Sequence, residues 1–194
     1  MAARSGMSNL ITRWRRMVDD AGTAVWSDDS AQELLDLHST RLAHHSVSPE
    51  PWYRPSNTVE YKLYPIGWAN LEESASGTAR WYVFDGDGDA APSNTPDYIR
   101  GQLTFASDTA GATYYVSGYS FDLDAAAAAA WTERAGMQAD AYDFSADGAS
   151  YSRSQWFKHC MDMAGVYQAK AGSNRNAGNR QIIGLDRADT MRGR

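Results

Sequence analysis

Six consecutive alanines occupy residues 125–130 and run directly into Trp131. Alanine has the highest helix propensity and loses no side-chain freedom on folding. The run predicts a helix through about Gln138, capped by Asp122 or Asp124. Leu123, Ala127, Ala130, Trp131 and Arg134 share one of its sides. Small side chains let a neighbouring helix approach closely, and a tryptophan at the end of such a run marks a buried central helix, not a linker. Whatever else the chain does, it must wrap this segment.

Apolar periodicity supplies three further helices. From residue 8 to about 18, Leu10, Ile11, Trp14, Met17 and Val18 form one stripe, with Ser8 as N-cap and Gly22 at the exit. A second helix opens on the caps and early acids of residues 27–30. Ser30 and Glu33 have capping-box spacing, and Ala31, Leu34, Leu35, His38 and Leu42 form one face. It should run to just before Ser46, because Pro49, Pro51 and Pro55 follow. The last helix starts after the turn Ala146-Asp147-Gly148, with Ser152 and Gln155 as a capping box. Trp156, Cys160, Met163 and Tyr167 lie along one face, and Gly172 closes it.

Between residues 59 and 119 the period changes. VEYKLYPIGW, ARWYVF, GQLTFA and ATYYVSGYSF are rich in aromatic and β-branched residues and are separated by turn-forming clusters. They predict four or five antiparallel strands in a small sheet or partly open barrel, with residues 85–96 as the longest loop. The fold class expected is α+β: a mostly helical core of about four helices, an antiparallel β-rich insertion and a flexible C-terminal tail. The domain division expected is residues 1–58 and 120–171 for the helical core, 59–119 for the insertion and 172–194 for the tail.

The 194 residues suit one domain of ordinary size, and 43% hydrophobic composition is enough for a core. Both ends carry more arginine than acid, and the segment between them is more acidic than the formal net charge of −6. That balance argues against a chain that wraps nucleic acid through a basic surface. A single cysteine, Cys160, excludes an intramolecular disulfide and a multi-cysteine zinc site and suits a reducing compartment. No apolar run approaches the roughly 20 residues of a membrane span, and the first residues lack the apolar segment of a secretion signal.

Motifs that carry chemistry are few. Asp85, Asp87 and Asp89 alternate like the first ligands of a calcium loop, but Ala90 stands where that loop needs glycine and Pro96 where it needs glutamate. An acidic turn is the expected outcome. His38 and His45, seven apart on the expected second helix, would lie about 10 Å apart, too far for one metal. His159 and Cys160 are neighbours that diverge on a helix, so they do not form a nucleophile–base pair. Seven tryptophans and eleven tyrosines fill cores and subunit contacts more often than they form sugar- or base-stacking platforms. No Gly-rich phosphate loop and no internal repeat is present. From the residues alone, the chain reads as an acidic α+β interaction protein: not an enzyme, and with no cofactor and no metal.

Two strings carry a resemblance. YSFDLDAAAAAAW (119–131), followed by YDFSADGASYSRSQ (142–155), and a closing MAGVYQAKA (163–171), is similar to the pattern of the head-to-tail connector, or adaptor, proteins of tailed bacteriophages. The N-terminal helix followed by WSDDSAQELLDLH also looks like that family's opening. The resemblance spans about two-thirds of the chain and leaves out the β-rich insertion. It implies a structural virion protein at the neck, a homo-oligomeric ring of about twelve copies beneath the portal protein. Such a ring extends the DNA channel and offers a surface to the next neck, stopper or tail protein. Genomic DNA would pass through the lumen without specific binding, and no membrane is involved. The resemblance also implies a C-terminal portal-docking segment, here carrying Arg175, Arg180, Ile182, Ile183 and Arg187. Trp131, Trp156 and Tyr167 would pack the core and subunit contacts. Phe144, Asp147 and Gly148 would form the reversing turn before the last helix, with Gly148 free to take positive φ. The alternatives are another neck component, such as a stopper or tail-terminator, and a carbohydrate-binding or cation-dependent hydrolase module on the aromatic strands. Single-stranded nucleic-acid binding is disfavoured by the acidic body.

Overall fold

The structure is a computed structural model that describes residues 3–23, 25–54, 58–74, 80–137, 144–146, 149–151, 153–172 and 175. It is α+β, with four helices and antiparallel sheets. Helices α1 (Ser8–Met17) and α2 (Asp28–Leu37) come first, then strands β1 (Ser39–Val47), β2 (Glu50–Tyr53), β3 (Val59–Pro65), β4 (Tyr82–Phe84), β5 (Asn94–Asp97), β6 (Gln102–Phe105) and β7 (Tyr114–Phe121). Helix α3 (Leu123–Gly136), the hairpin β8 (Phe144–Ala146) and β9 (Ala149–Tyr151), and helix α4 (Arg153–Gln168) complete the order.

The strands make two separate sheets and the hairpin, not one sheet or barrel. The first has the order β1-β7-β4 and the second β2-β3-β6-β5. Their apolar faces share one core, in which Leu42, Val47, Tyr64, Ile66, Leu71, Trp81, Leu103, Phe105, Tyr114 and Val116 are buried. Tyr64 and Phe105 meet edge to face, and Phe105 stacks on Tyr114 with ring centroids 4.5 Å apart.

A second core lies among the helices. Leu10, Ile11, Trp14 and Val18 from the α1 stripe join Ala31 and Leu35 of α2, and Cys160 and Ala164 of α4. Helix α3 passes through the middle, with Ala126, Ala127, Ala130, Trp131 and Ala135 buried. Asp122 caps it by accepting the Ala125 N–H at 3.0 Å. The Trp131 indole N–H donates to the Met17 carbonyl at 3.1 Å, and Arg134 donates to the Val18 carbonyl at 2.9 Å. The alanine run is thus the central helix, and its last turn holds the C-terminus of α1.

Several expectations are corrected. Helix α2 stops at Leu37, and the segment expected to continue it is strand β1. Leu42 and His45 therefore lie on a strand, paired opposite Gly118 and Val116 of β7. Pairing with β7 buries Leu42 and Val47 and outweighs a local sequence that tolerates helix. A bulge between Leu42 and His45, where His44 takes φ 53°, breaks the alternation that would have advertised a strand. The cap of α2 is Ser27, whose hydroxyl accepts the Ser30 N–H at 3.1 Å, in place of a box between Ser30 and Glu33. Ser8 is not a cap: a 3-10 turn (Ser5–Met7) feeds straight into α1, and Ser8 is already helical. Residues 85–96 are not wholly loop, because β5 begins at Asn94; its Pro96 sits on an edge strand, where a missing N–H costs no ladder bond.

Two ion-pair staples fix the helices to their surroundings. Arg4 grips Asp36 of α2 through two bonds of 2.8 and 2.6 Å and donates to Glu72 at 2.8 Å. Glu72 is 2% exposed and also faces Arg80 at 3.6 Å. These carboxylates drive the Arg4 guanidinium further into its protonated form. Arg15, buried on α1, bonds Asp20 at 2.7 Å, Asp28 at 2.8 Å and the Trp26 carbonyl at 2.7 Å. Asp20 in turn accepts the Val25 and Trp26 N–H groups and so shapes the α1–α2 loop.

Candidate interaction surfaces

Among the described residues no three His, Cys, Asp or Glu side chains converge as a metal site would need. Asp85, Asp87 and Asp89 form an exposed turn: the Asp85 carboxylate accepts the Asp87 and Asp89 N–H groups at 3.0 Å each, and the Asp85 N–H donates to the Asp89 carbonyl. Cys160 is fully buried, and burial pushes its thiol pKa up, away from the nucleophilic thiolate. His159 beside it packs on the Trp131 and Trp156 rings. Among the described residues no helix is long and apolar enough to cross a membrane. What the chain offers is surfaces, and three stand out.

The first is α4. Its inner side reaches the helical core through Cys160, Ala164, Met163 and Tyr167. Burial among apolar neighbours raises the Tyr167 pKa. Along its flanks Phe157 and Met161 on one edge and Val166 on the other stay exposed, while Trp156, in line with the core residues, is partly exposed near the start of the helix. Phe157, Met161 and Gly165 follow one another at four-residue spacing, a row along one side of the helix, and nothing packs over Gly165. The face opposite the core carries Lys158 and Asp162, so the apolar surface left open is the Phe157–Met161 edge. Trp131 is 2% exposed and serves the core; Trp156, 37% exposed and beneath the Arg134 guanidinium, stands at the border between core and surface.

The second surface is the root of the C-terminal segment. Arg175 lies over the Trp68 ring at 5.3 Å, and the Gly172 N–H donates to Asp122, the α3 cap. Trp68 and Arg175 line two adjoining cavities. One, of about 360 Å³, includes His45, Ser48, Pro65 and Ile66; the other, of about 380 Å³, includes His38, Ser39 and Asp122. His45 is held there by its Nε2 contact of 2.8 Å to the Ile66 carbonyl. Of the expected docking residues only Arg175 is placed. Arg180, Ile182, Ile183 and Arg187 lie outside the described residues, as do Asp147 and Gly148 of the expected turn. Phe144 is placed in β8, its backbone paired opposite Tyr151.

The third is the outer face of the β1-β7-β4 sheet. Along β7 the buried residues alternate with Tyr115, Ser117 and Tyr119, which face outward. Their cross-strand partners share that face: Arg41 opposite Tyr119, Tyr82 opposite Ser117 and Phe84 opposite Tyr115. His44 packs on the Phe84 and Tyr115 rings. Arg80 lies over the Tyr119 ring at 4.9 Å. Arg41, Arg80, Tyr82, Ser117 and Tyr119 line a cavity of about 230 Å³. None of this was visible as a motif, because its members meet through strand register and not through sequence spacing.

Comparison of the chain with protein-family models, curated proteins and solved structures gives no match.

Proposed function

We propose that the chain is a structural head-to-tail adaptor of a tailed bacteriophage, acting as a ring subunit between the portal protein and the neck or tail. The observation that carries the proposal is the α3–α4 pair. An alanine-lined central helix lies beneath a helix that leaves the apolar edge of Phe157 and Met161 exposed. A ring subunit must present different patches to its two neighbours. The exposed Phe157–Met161 edge of α4 supplies one of them. The connector-like strings at 119–131 and 142–155 fall on this same pair and the hairpin that joins it.

The role is mechanical. The acidic body suits a channel wall, because a negatively charged lining takes up no phosphates and releases no counterions, so duplex DNA slides past it. The arginine-bearing C-terminal segment would dock on the portal, leaving the body at the point fixed by Gly172 and Arg175. Deleting residues 173–194 tests this. The truncated chain should melt within about 2 °C of the intact one, since among the placed contacts it loses the Arg175–Trp68 contact and the Arg175 N–H bond to the Gly172 carbonyl. It should fail to bind portal particles in a pull-down and fail to restore head–tail joining. Normal joining by the truncated chain would refute the docking role.

A second reading has one observation in its favour. Trp52 and Tyr53, 67% and 72% exposed, stand on edge strand β2, as a sugar-stacking surface requires. Glycan binding abolished by Trp52→Ala, with no copy of the chain in virions, would replace the adaptor reading.

A further inference from the structure

We infer that copies of this chain join head to tail by inserting the acidic 85–89 turn of one copy into the arginine cavity on the β1-β7-β4 sheet of the next. The two halves of the contact lie at opposite ends of β4. Arg80 immediately precedes the strand, and the turn follows it directly. At about 3.3 Å per residue, Arg80 and the start of the turn at Asp85 are about 16 Å apart along the strand, after which the chain reverses, so the two charges sit at opposite ends of β4. Internal hydrogen bonds across the turn, together with the Phe84–Ala90 bridge, hold it in that place.

The cavity has the chemistry of a carboxylate receptor. Arg41 is exposed, and no carboxylate among the described residues pairs with it. The Arg80 guanidinium lies over the Tyr119 ring and is only loosely engaged by Glu72, at 3.6 Å, which Arg4 approaches more closely, at 2.8 Å. The Tyr82 and Tyr119 side chains and the Ser117 hydroxyl line the rest. Guanidinium forks match carboxylates better than any other common partner. The turn supplies two: Asp85 spends its carboxylate on the turn's own backbone, but Asp87 and Asp89 are exposed and two residues apart. Positive at one end of a strand and negative at the other, the sheet is complementary to a copy of itself placed end to end. Such a contact is heterologous and closes into a ring where the rotation allows. It would give the adaptor ring a contact besides α4, but it is argued from the sheet alone and is tested on the purified chain, apart from any virion.

The experiment is sedimentation velocity on the full chain, alone and mixed, at low and high salt. Arg41→Glu breaks the cavity but keeps the turn. Asp87→Asn with Asp89→Asn breaks the turn but keeps the cavity, and being neutral it offers no charge-swapped partner to the Arg41→Glu cavity. The unmodified chain should self-associate at about 50 mM salt and do so at least about tenfold more weakly at about 500 mM, as screening demands. Each variant alone should stay monomeric. The two mixed should form a heterodimer and stop there, because only one intact cavity and one intact turn remain. Arg41→Ala and Asp87→Asn should show the same loss with the fold checked by melting temperature. A wild-type chain monomeric at both salts, variants that assemble like wild type, or a mixture that forms no heterodimer would each overturn the contact. So would loss of DNA or phosphate binding on Arg41→Glu with assembly intact. An overturned contact with ring copies still present in virions would leave the adaptor reading standing.

Discussion

Replacing Trp131 probes the claim that α3 is the centre of the fold. The indole is buried, donates to the Met17 carbonyl and lies under the Arg134 guanidinium at 5.2 Å. Trp131→Ala removes the ring from a packed site, a change worth about 3–5 kcal/mol. It also leaves the Met17 carbonyl at the end of α1 without this donor, adding about 1 kcal/mol. The sum, about 4–6 kcal/mol, is a large share of the about 5–15 kcal/mol stability of a domain, so the variant should unfold at a much lower urea concentration. Trp131→Phe keeps most of the volume and loses the hydrogen bond and part of the packing, about 1–2 kcal/mol. With a urea dependence of about 2 kcal/mol per molar, its midpoint should fall by roughly 0.5–1 M. Trp156→Ala, at the half-exposed border position, should cost less than about 1.5 kcal/mol. Urea unfolding followed by circular dichroism at 222 nm reads all three. Equal costs for Trp131→Phe and Trp131→Ala, or a Trp156→Ala cost above that of Trp131→Ala, would refute a buried, hydrogen-bonded role for Trp131.

Three other perturbations follow from particular contacts. Gly101→Ala should lower the melting temperature by several degrees, because φ is +69° and a Cβ there would lie 1.6 Å from the Trp68 carbonyl oxygen; an unchanged melting curve would contradict the turn. Glu72→Ala should cost about 1–2 kcal/mol in urea unfolding, because Arg4 keeps its two bonds to Asp36 and Arg80 is partly exposed, whereas no measurable cost would reduce the Glu72 half of the staple to surface decoration. Burial raises the pKa values of the Cys160 thiol and of the Tyr64 and Tyr167 phenols. Each folded-state value lies above the unfolded one, so their contribution is full below the ordinary thiol and phenol range, about 8.5–10, and is lost as pH rises through the raised values. Stability measured at pH 7, 9 and 10.5 should therefore fall toward alkali, and a rise over that range would contradict the assignment.

The sequence announced the helices far better than the sheets. The α1 stripe, the α3 alanines and the α4 face all express a 3.6-residue period, which depends on the local chain alone. Strand β1 did not show itself, because HSTRLAHHSV has no clean alternation and becomes a strand only when β7 pairs with it. Strand β5 hid in a Pro- and Asn-bearing segment that an edge position tolerates. The Arg4 staple joins residues distant in sequence, and the Arg15 staple spans the α1–α2 loop, so no helical spacing rule foretells either. The same holds for the surfaces. The α4 side chains were named from periodicity, but which side stays open depends on α3. The Arg41–Arg80 cavity exists only because β1 and β4 flank β7 in one register.

The most direct test of the central claim is copy number per particle, by quantitative mass spectrometry of purified virions against the major capsid protein. The adaptor account predicts about twelve copies of this chain per virion, one closed ring beneath the portal. Absence of the chain from washed, infectious particles would contradict it.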